Sequence, residues 1–235
     1  MKAELIGSFK GGLVVSVQQD AGNPLNRPEI IAAFAQVAAV PGVVGLRLHA
    51  PENIAAVRRV LSLPVIGIHK VYPEDGAHAA GGRVWITPTY EYARGLVAAG
   101  AEIVAIDATR RPRAAGESVA ELIGAIHDRL GAAVMADVSD LAEGLAAAAA
   151  GADIVATTLS GYTQTPPVSP YDPPDLDLIA QLAARAGVPV IAEGRFNTPA
   201  LARQALAAGA HAVVVGSAIT RPDVIAGLFV RGIRG

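Results

Sequence analysis

At 235 residues, with 52% hydrophobic side chains and a formal charge of −2, the chain is long enough to bury a sizeable core and has no basic field for nucleic acid or an anionic lipid surface. The absence of cysteine excludes disulfides, thiolate metal sites and a thiol nucleophile, and fits a cytoplasmic protein. The opening residues MKAELIGSFKGG lack a signal-peptide core and no apolar run has the length of a membrane span, so neither secretion nor membrane insertion is expected.

Eight short runs rich in Val, Ile and Ala then follow one another, continuous rather than alternating, as strands covered on both faces read. The first covers residues 12–18. After it PEIIAAFAQVAAV, from Pro28, has helical spacing with a proline where a helix starts. The second and third runs are 43–49 and 65–70, and an irregular stretch, 71–84, follows the third. The fourth, 103–109, is entered through AAGAEIVAID; the fifth, 133–139, follows the helical ESVAELIGAIHDRL. The sixth, 154–161, is entered through AAGADIVATT and leads into a second irregular stretch, 162–174. The seventh is 189–195; TPALARQALAAGA separates it from the eighth, 212–219, which is entered through AAGAHAVVVG. The repeated AAGA places a glycine at the left-handed position that closes a helix before a buried strand.

Eight strand–helix units in one chain of this size predict a single domain over 1–235, a closed (β/α)8 TIM barrel; an open doubly wound sheet is the rival. Both irregular stretches then lie at the carboxyl ends of the strands, the face where loops carry the chemistry.

The last polar residues of the odd-numbered runs are Gln18, Lys70, Asp137 and Glu193, which by parity share one inward layer above Ser16, Ile68, Met135 and Ile191. The even runs offer Arg47, Asp107, Ser160 and the pair Gly216-Ser217. Asp107, ahead of ATRR, has the simpler reading of ordering its own loop. In AEGR, Glu193 and Arg195 share parity over the barrel mouth, while Gly194 lets backbone approach a ligand. Gly194, Gly216 and Ser217 lie where barrels of the ribulose-phosphate-binding type hold a phosphate, with Arg195 and Arg221 able to add charge. The five histidines share no metal-ligand spacing, and no metal is expected.

These residues resemble the N-acetylmannosamine-6-phosphate 2-epimerases of sialic-acid catabolism. The matching segments run in order from GGLVVSVQ, NPLNRPEIIAA, GLRL and VIGIHK through RVWITPT, AIDATRRPR and MADVS to GADIVATTLSGYT, PVIAEGRFNTPA and GAHAVVVGSAITRP. The resemblance implies an isomerase of amino-sugar metabolism that interconverts N-acetylmannosamine 6-phosphate and N-acetylglucosamine 6-phosphate without a cofactor. It makes Lys70 and Glu193 catalytic, Gln18, Arg47, Asp137 and Arg195 contacts to a small sugar phosphate, and allows a homodimer. Two departures stand out: VYPEDGAHAAGGRVWITP after Lys70 is longer and differently charged than the family's usual loop, and His49 stands where an acidic residue is common.

Inverting C2 beside an aldehyde requires ring opening, removal of the C2 proton and return of a proton to the other face. A lysine can act as base only if burial lowers its pKa. Three other readings share the barrel: a flavin-dependent oxidoreductase, which would be yellow; an enzyme forming a Schiff base on Lys70, which borohydride would trap; and a protein that binds the sugar phosphate without turnover.

Overall fold

The computed structural model describes residues 2–71, 82–113, 116–164, 167–169 and 171–234. The eight apolar runs form the strands β1 (Leu13–Val17), β2 (Val43–His49), β3 (Val65–Ile68), β4 (Ile103–Asp107), β5 (Ala133–Asp137), β6 (Ile154–Ala156), β7 (Val190–Glu193) and β8 (Ala212–Val215). All pair in parallel, in sequence order, and β1 closes onto β8. The sheet is therefore the expected closed barrel and not the open rival.

Helices alternate with the strands: α1 (Lys2–Gly7), α2 (Pro28–Ala38), α3 (Pro51–Arg58), α4 (Tyr90–Ala98), α5 (Val119–Leu130), α6 (Leu141–Ala149), α7 (Leu176–Arg185), α8 (Pro199–Ala207), α9 (Ser217–Thr220) and α10 (Pro222–Arg234). Among the described residues, none is long and apolar enough to cross a membrane. Successive strand residues face opposite ways, so Val15, Val17, Leu46 and Leu48 pack against the helices, while Val14, Ile68, Met135 and Ile191 fill the interior. Each of these buried side chains contributes about 1.5–3 kcal/mol of transfer free energy.

The three AAGA segments end α4, α6 and α8 in one way. Gly100, Gly151 and Gly209 have φ of 110°, 99° and 102°. The next residue donates its N–H five positions back, as in Ala101 to Leu96, Ala152 to Ala147 and Ala210 to Ala205. This double turn satisfies the last carbonyls and turns the chain sharply into the following strand.

The amino end of the barrel is closed by Phe9, fully buried after α1. Its ring occupies the space a side chain at position 45 would need, since a Cβ on Gly45 would overlap Phe9 Cε1. The carboxyl end is open. There β3 and β4 pair through only Ile66–Ile103 and Gly67–Val104, and residues 85–87 fill the gap above them. Val71 donates to Trp85 O, Thr87 to His69 O and Asp107 to Ile86 O, at 2.8, 2.7 and 2.9 Å. The excursion after β3 thus returns antiparallel to Lys70 and clamps its backbone on both sides. Residues 72–81 of the expected 71–84 loop lie outside the described residues.

Candidate active site

A cavity of about 440 Å³ opens at the carboxyl ends of the strands. Its floor is apolar, with Ile68, Ile86 and Val214, and polar groups ring it from several strands. Of the residues expected at the site, Gln18, Arg47, Lys70 and Glu193 line the cavity, as do Gly194, Arg195, Gly216, Ser217 and Arg221. Two stand off its wall. Asp137 is fully buried behind Arg47, and Ser160 donates its hydroxyl to Asp175 at 2.7 Å, the capping residue of α7.

The four odd-strand residues do not act as a plain layer, because Arg47 from β2 reaches into it. Its Nη1 and Nη2 donate to the two Asp137 oxygens at 3.1 and 2.6 Å, and Nη1 also lies 3.1 Å from Glu193 Oε2. Arg47 is 1% exposed and Asp137 0%. A guanidinium this deep is held by its carboxylates: burial opposes the charge, but Asp137 and then Glu193 outweigh it, and the Arg47 pKa is raised. Its Nε has no hydrogen-bond partner, nor has Gln18 Oε1, whose amide nitrogen donates to Ser16 Oγ at 2.8 Å. Both atoms are buried as well as unpartnered, although Arg47 and Gln18 border the cavity through other atoms.

Lys70 follows β3 by two residues. Its backbone N–H donates to His49 Nδ1 at 3.1 Å, so His49, the departure from the family's acidic residue, serves here as a neutral acceptor. Burial, then the nearby Lys70 and His69, holds the His49 pKa down at about 4. The Lys70 ammonium lies 5.6 Å from the centroid of the Trp85 ring. Burial lowers its pKa to about 8; Asp20 and Glu193 oppose the shift, and Arg47 and Arg221 favour it.

Glu193 ends β7. Thr157, just after β6, accepts from the Glu193 N–H at 3.1 Å and donates to its carbonyl at 3.0 Å, which fixes the backbone where the strand ends. The carboxyl group meets the Thr158 hydroxyl at 3.1 Å. Burial pushes the Glu193 pKa up to about 7; Arg47 opposes that shift and Asp137 adds to it. In the closed order β3 and β7 are four strands apart, so Lys70 and Glu193 rise from opposite walls of one cavity.

Gly194 follows with φ 109° and Arg195 with φ 64°. Only the second is costly for a side chain, and three contacts hold it: Nε donates to Pro173 O at 3.0 Å, Nη1 to Ser160 O at 2.6 Å, and the guanidinium stacks 5.4 Å from the Tyr162 ring. Arg195 thereby ties the end of β7 to the segment that follows β6. Gly216 lies against Ser16, where a Cβ would come within 3.2 Å of Ser16 Cβ, and Ser217 starts α9. Arg221 is already engaged by Asp20 at 2.8 Å and Asp223 at 2.7 Å, which offsets much of its charge. Asp107 accepts from Thr109 and Arg111 and orders its own loop, as ATRR implied.

Sequence reasoning did not single out Trp85, Thr157, Thr158 or Tyr162. A signal was present in TTLSGYT, where two adjacent hydroxyls follow a three-residue buried strand. Trp85 gave none, since its place depends on the chain returning antiparallel beside Lys70.

Residues 31–235 match the family described as "Putative N-acetylmannosamine-6-phosphate epimerase". A protein of that description with the 2-epimerase name from Cutibacterium acnes is 45% identical over 227 residues, covering 96% of this chain and 95% of the relative. A bifunctional NanE/NanK enzyme of Brucella melitensis is 47% identical over 229 residues, which span 97% of this chain and 42% of that protein. The solved structure of the N-acetylmannosamine-6-phosphate 2-epimerase from Clostridium perfringens superposes with a TM-score of 0.88 at 38% identity, covering 97% of this chain and 95% of that one.

Proposed function

The chain belongs to the N-acetylmannosamine-6-phosphate epimerase family, and on that premise we propose how its barrel mouth interconverts N-acetylmannosamine 6-phosphate and N-acetylglucosamine 6-phosphate. It is an isomerase. The observation that carries the mechanism is the placement of Lys70 and Glu193 on opposite walls of one cavity, with pKa values brought to about 8 and about 7. Groups that give and take protons work best when their pKa values lie near the working pH and near each other.

With the ring opened, the C2 hydrogen is acidified by the neighbouring aldehyde. Neutral Lys70 removes it, the C2–H electron pair moves into the C1–C2 bond, and negative charge collects on the aldehyde oxygen. Arg47, buried and fixed by Asp137, supplies positive charge on the same wall at no reorganisation cost. Gln18, on the cavity wall, is assigned to the acetamido group. The planar intermediate lies between two walls that bear different proton carriers, so a proton returned from the face away from Lys70 gives the inverted centre. Glu193 serves there, and also at the sugar oxygens during ring opening.

The phosphate is assigned to the β7 and β8 ends, around Gly194, Gly216 and Ser217, where the two glycines border the cavity with backbone alone. Arg195 and Arg221 border it as well. Binding energy from this non-reacting group positions C2, so removing it lowers turnover as well as affinity. Unphosphorylated N-acetylmannosamine is therefore expected to show kcat/KM lower by roughly 100-fold or more, on the scale of two charge-assisted hydrogen bonds, with kcat itself reduced. Formation of the C2 epimer, followed by NMR for both sugars, checks this. Equal kcat/KM for the two would overturn the phosphate assignment.

A further inference from the structure

The position of Thr158 between two carboxyl groups has a consequence for Glu193. Its Oγ1 lies 2.7 Å from Asp137 Oδ1 and 3.1 Å from Glu193 Oε2. A hydroxyl has one hydrogen and two lone pairs, so it cannot donate to both oxygens at once. Asp137 already accepts from Arg47 with both oxygens, while Glu193 has a single guanidinium contact. When Glu193 carries a proton, the consistent arrangement is a chain in which Glu193 donates to Thr158 and Thr158 donates to Asp137. When Glu193 is ionised, the hydroxyl hydrogen must turn to it, and Asp137 keeps its two bonds from Arg47.

We propose that Thr158 is a positioning residue for the reaction: by rotating its hydroxyl between Asp137 and Glu193, it keeps the Glu193 carboxyl hydrogen-bonded, and its geometry fixed, both before and after proton transfer. No heavy atom has to move for this. The backbone fits the role, since Thr157 holds the Glu193 main chain from the same turn that presents the Thr158 hydroxyl to its side chain. The charged groups facing Glu193 are Arg47 from β2, Lys70 beyond β3 and Asp137 from β5. None can replace the hydroxyl. Arg47 cannot accept a hydrogen bond from the protonated form, Lys70 rises from the opposite wall and accepts only as the free amine, and Asp137 cannot donate to the ionised one.

The proposal rests on the assignment of Glu193 as a proton carrier, and its test has two arms. Thr158→Val keeps the shape and removes the hydroxyl; Thr158→Ser keeps the hydroxyl and removes the methyl. The first arm titrates Glu193 in the protein without sugar, through its protonated-carboxyl infrared band, assigned with Glu193→Gln. A charge-assisted hydrogen bond is stronger than a neutral one, so loss of the hydroxyl costs the ionised form more, and the Glu193 midpoint in Thr158→Val should move up while Thr158→Ser stays near wild type. The second arm is turnover. Thr158→Val should lose about ten- to a hundredfold in kcat with KM little changed, and Thr158→Ser should recover to within a few-fold. An unmoved Glu193 midpoint in Thr158→Val overturns the proposal, as does a serine variant as impaired as the valine one. If the wild-type chain does not turn over the sugar phosphate, the epimerase reading fails and the titration arm decides the Thr158 role alone. If Thr158→Val does not fold, Thr158→Ser against Thr158→Ala gives the same comparison.

Discussion

The Lys70→Met protein is expected to lose epimerisation by roughly 10²- to 10⁴-fold, the range supplied by a positioned acid–base group, while still folding and still binding the sugar phosphate. The loss should fall on kcat, because methionine fills a similar volume beside Trp85 and leaves the β7 and β8 ends untouched. The pH dependence has a definite sign. Burial lowers the Lys70 pKa from 10.5 to about 8 while Glu193, at about 7, must hold its proton, so wild-type kcat/KM should climb as pH rises toward 7, stay level to about 8 and fall above. Residual activity of the variant should lack the climb. Stability separates the two roles this lysine could have. A folded pKa below the unfolded one means that folding penalises the ammonium, in full below about pH 8 and less as pH rises toward 10.5. The methionine variant escapes that penalty and should unfold at or above the wild-type temperature at pH 7. Turnover within a few-fold of wild type would remove Lys70 from the mechanism, and a large fall in melting temperature would make it a structural residue.

Glu193→Gln should reduce turnover by roughly 100-fold or more, since the amide keeps the shape and the approach to Arg47 but can no longer exchange a proton. The accompanying stability change has the opposite pH course to that of most carboxylates. Burial raises the Glu193 pKa from 4.5 to about 7, so its contribution to stability is fully present below pH 4.5 and is lost as pH rises through about 7. The glutamine variant has no such loss. Its melting temperature relative to wild type should therefore increase between pH 4.5 and 7 and level off above. Calorimetry across that range checks the environment of the carboxyl group, and kinetics checks its role. A difference in melting temperature that is flat with pH would show that Glu193 is not held in the environment described, and near-normal turnover would exclude it as a proton carrier. Both variants place the same trade in view, a pair of buried groups that cost stability and give reactivity.

The barrel was legible because its signals are local and repeated. Three AAGA segments each demanded a left-handed glycine before a buried strand, and each has one. Parity along the odd strands brought Gln18, Lys70 and Glu193 to one cavity, because the side-chain period of a strand is fixed at two residues. Arg47 escaped that logic. It belongs to an even strand, and only the length of its side chain lets it join the layer above and hold Asp137 away from the cavity. Ser160 stands off the cavity for a related reason: β6 ends at Ala156, so the chain has already turned and the serine hydroxyl faces Asp175. The clamp around Lys70 was beyond sequence reasoning, because it depends on a return of chain from residue 85 that no periodicity announces. His49 illustrates a third case. Its departure from the family pattern was visible, but its use as an acceptor for the Lys70 N–H depends on the register between β2 and β3, in which His49 pairs with Ile68.

If C2 is inverted by removal and return of a proton between two walls, turnover in heavy water followed by proton NMR shows it most directly. N-acetylmannosamine 6-phosphate incubated with the wild-type chain should give N-acetylglucosamine 6-phosphate with deuterium at C2, and solvent label should dominate from the first turnovers if Glu193 delivers the proton from its own wall. Deuterium should then appear at C2 of the remaining substrate as the reaction reverses. Product that keeps full protium at C2 after many turnovers would contradict the mechanism, for it would mean that the bond to that hydrogen was never broken into exchange with solvent.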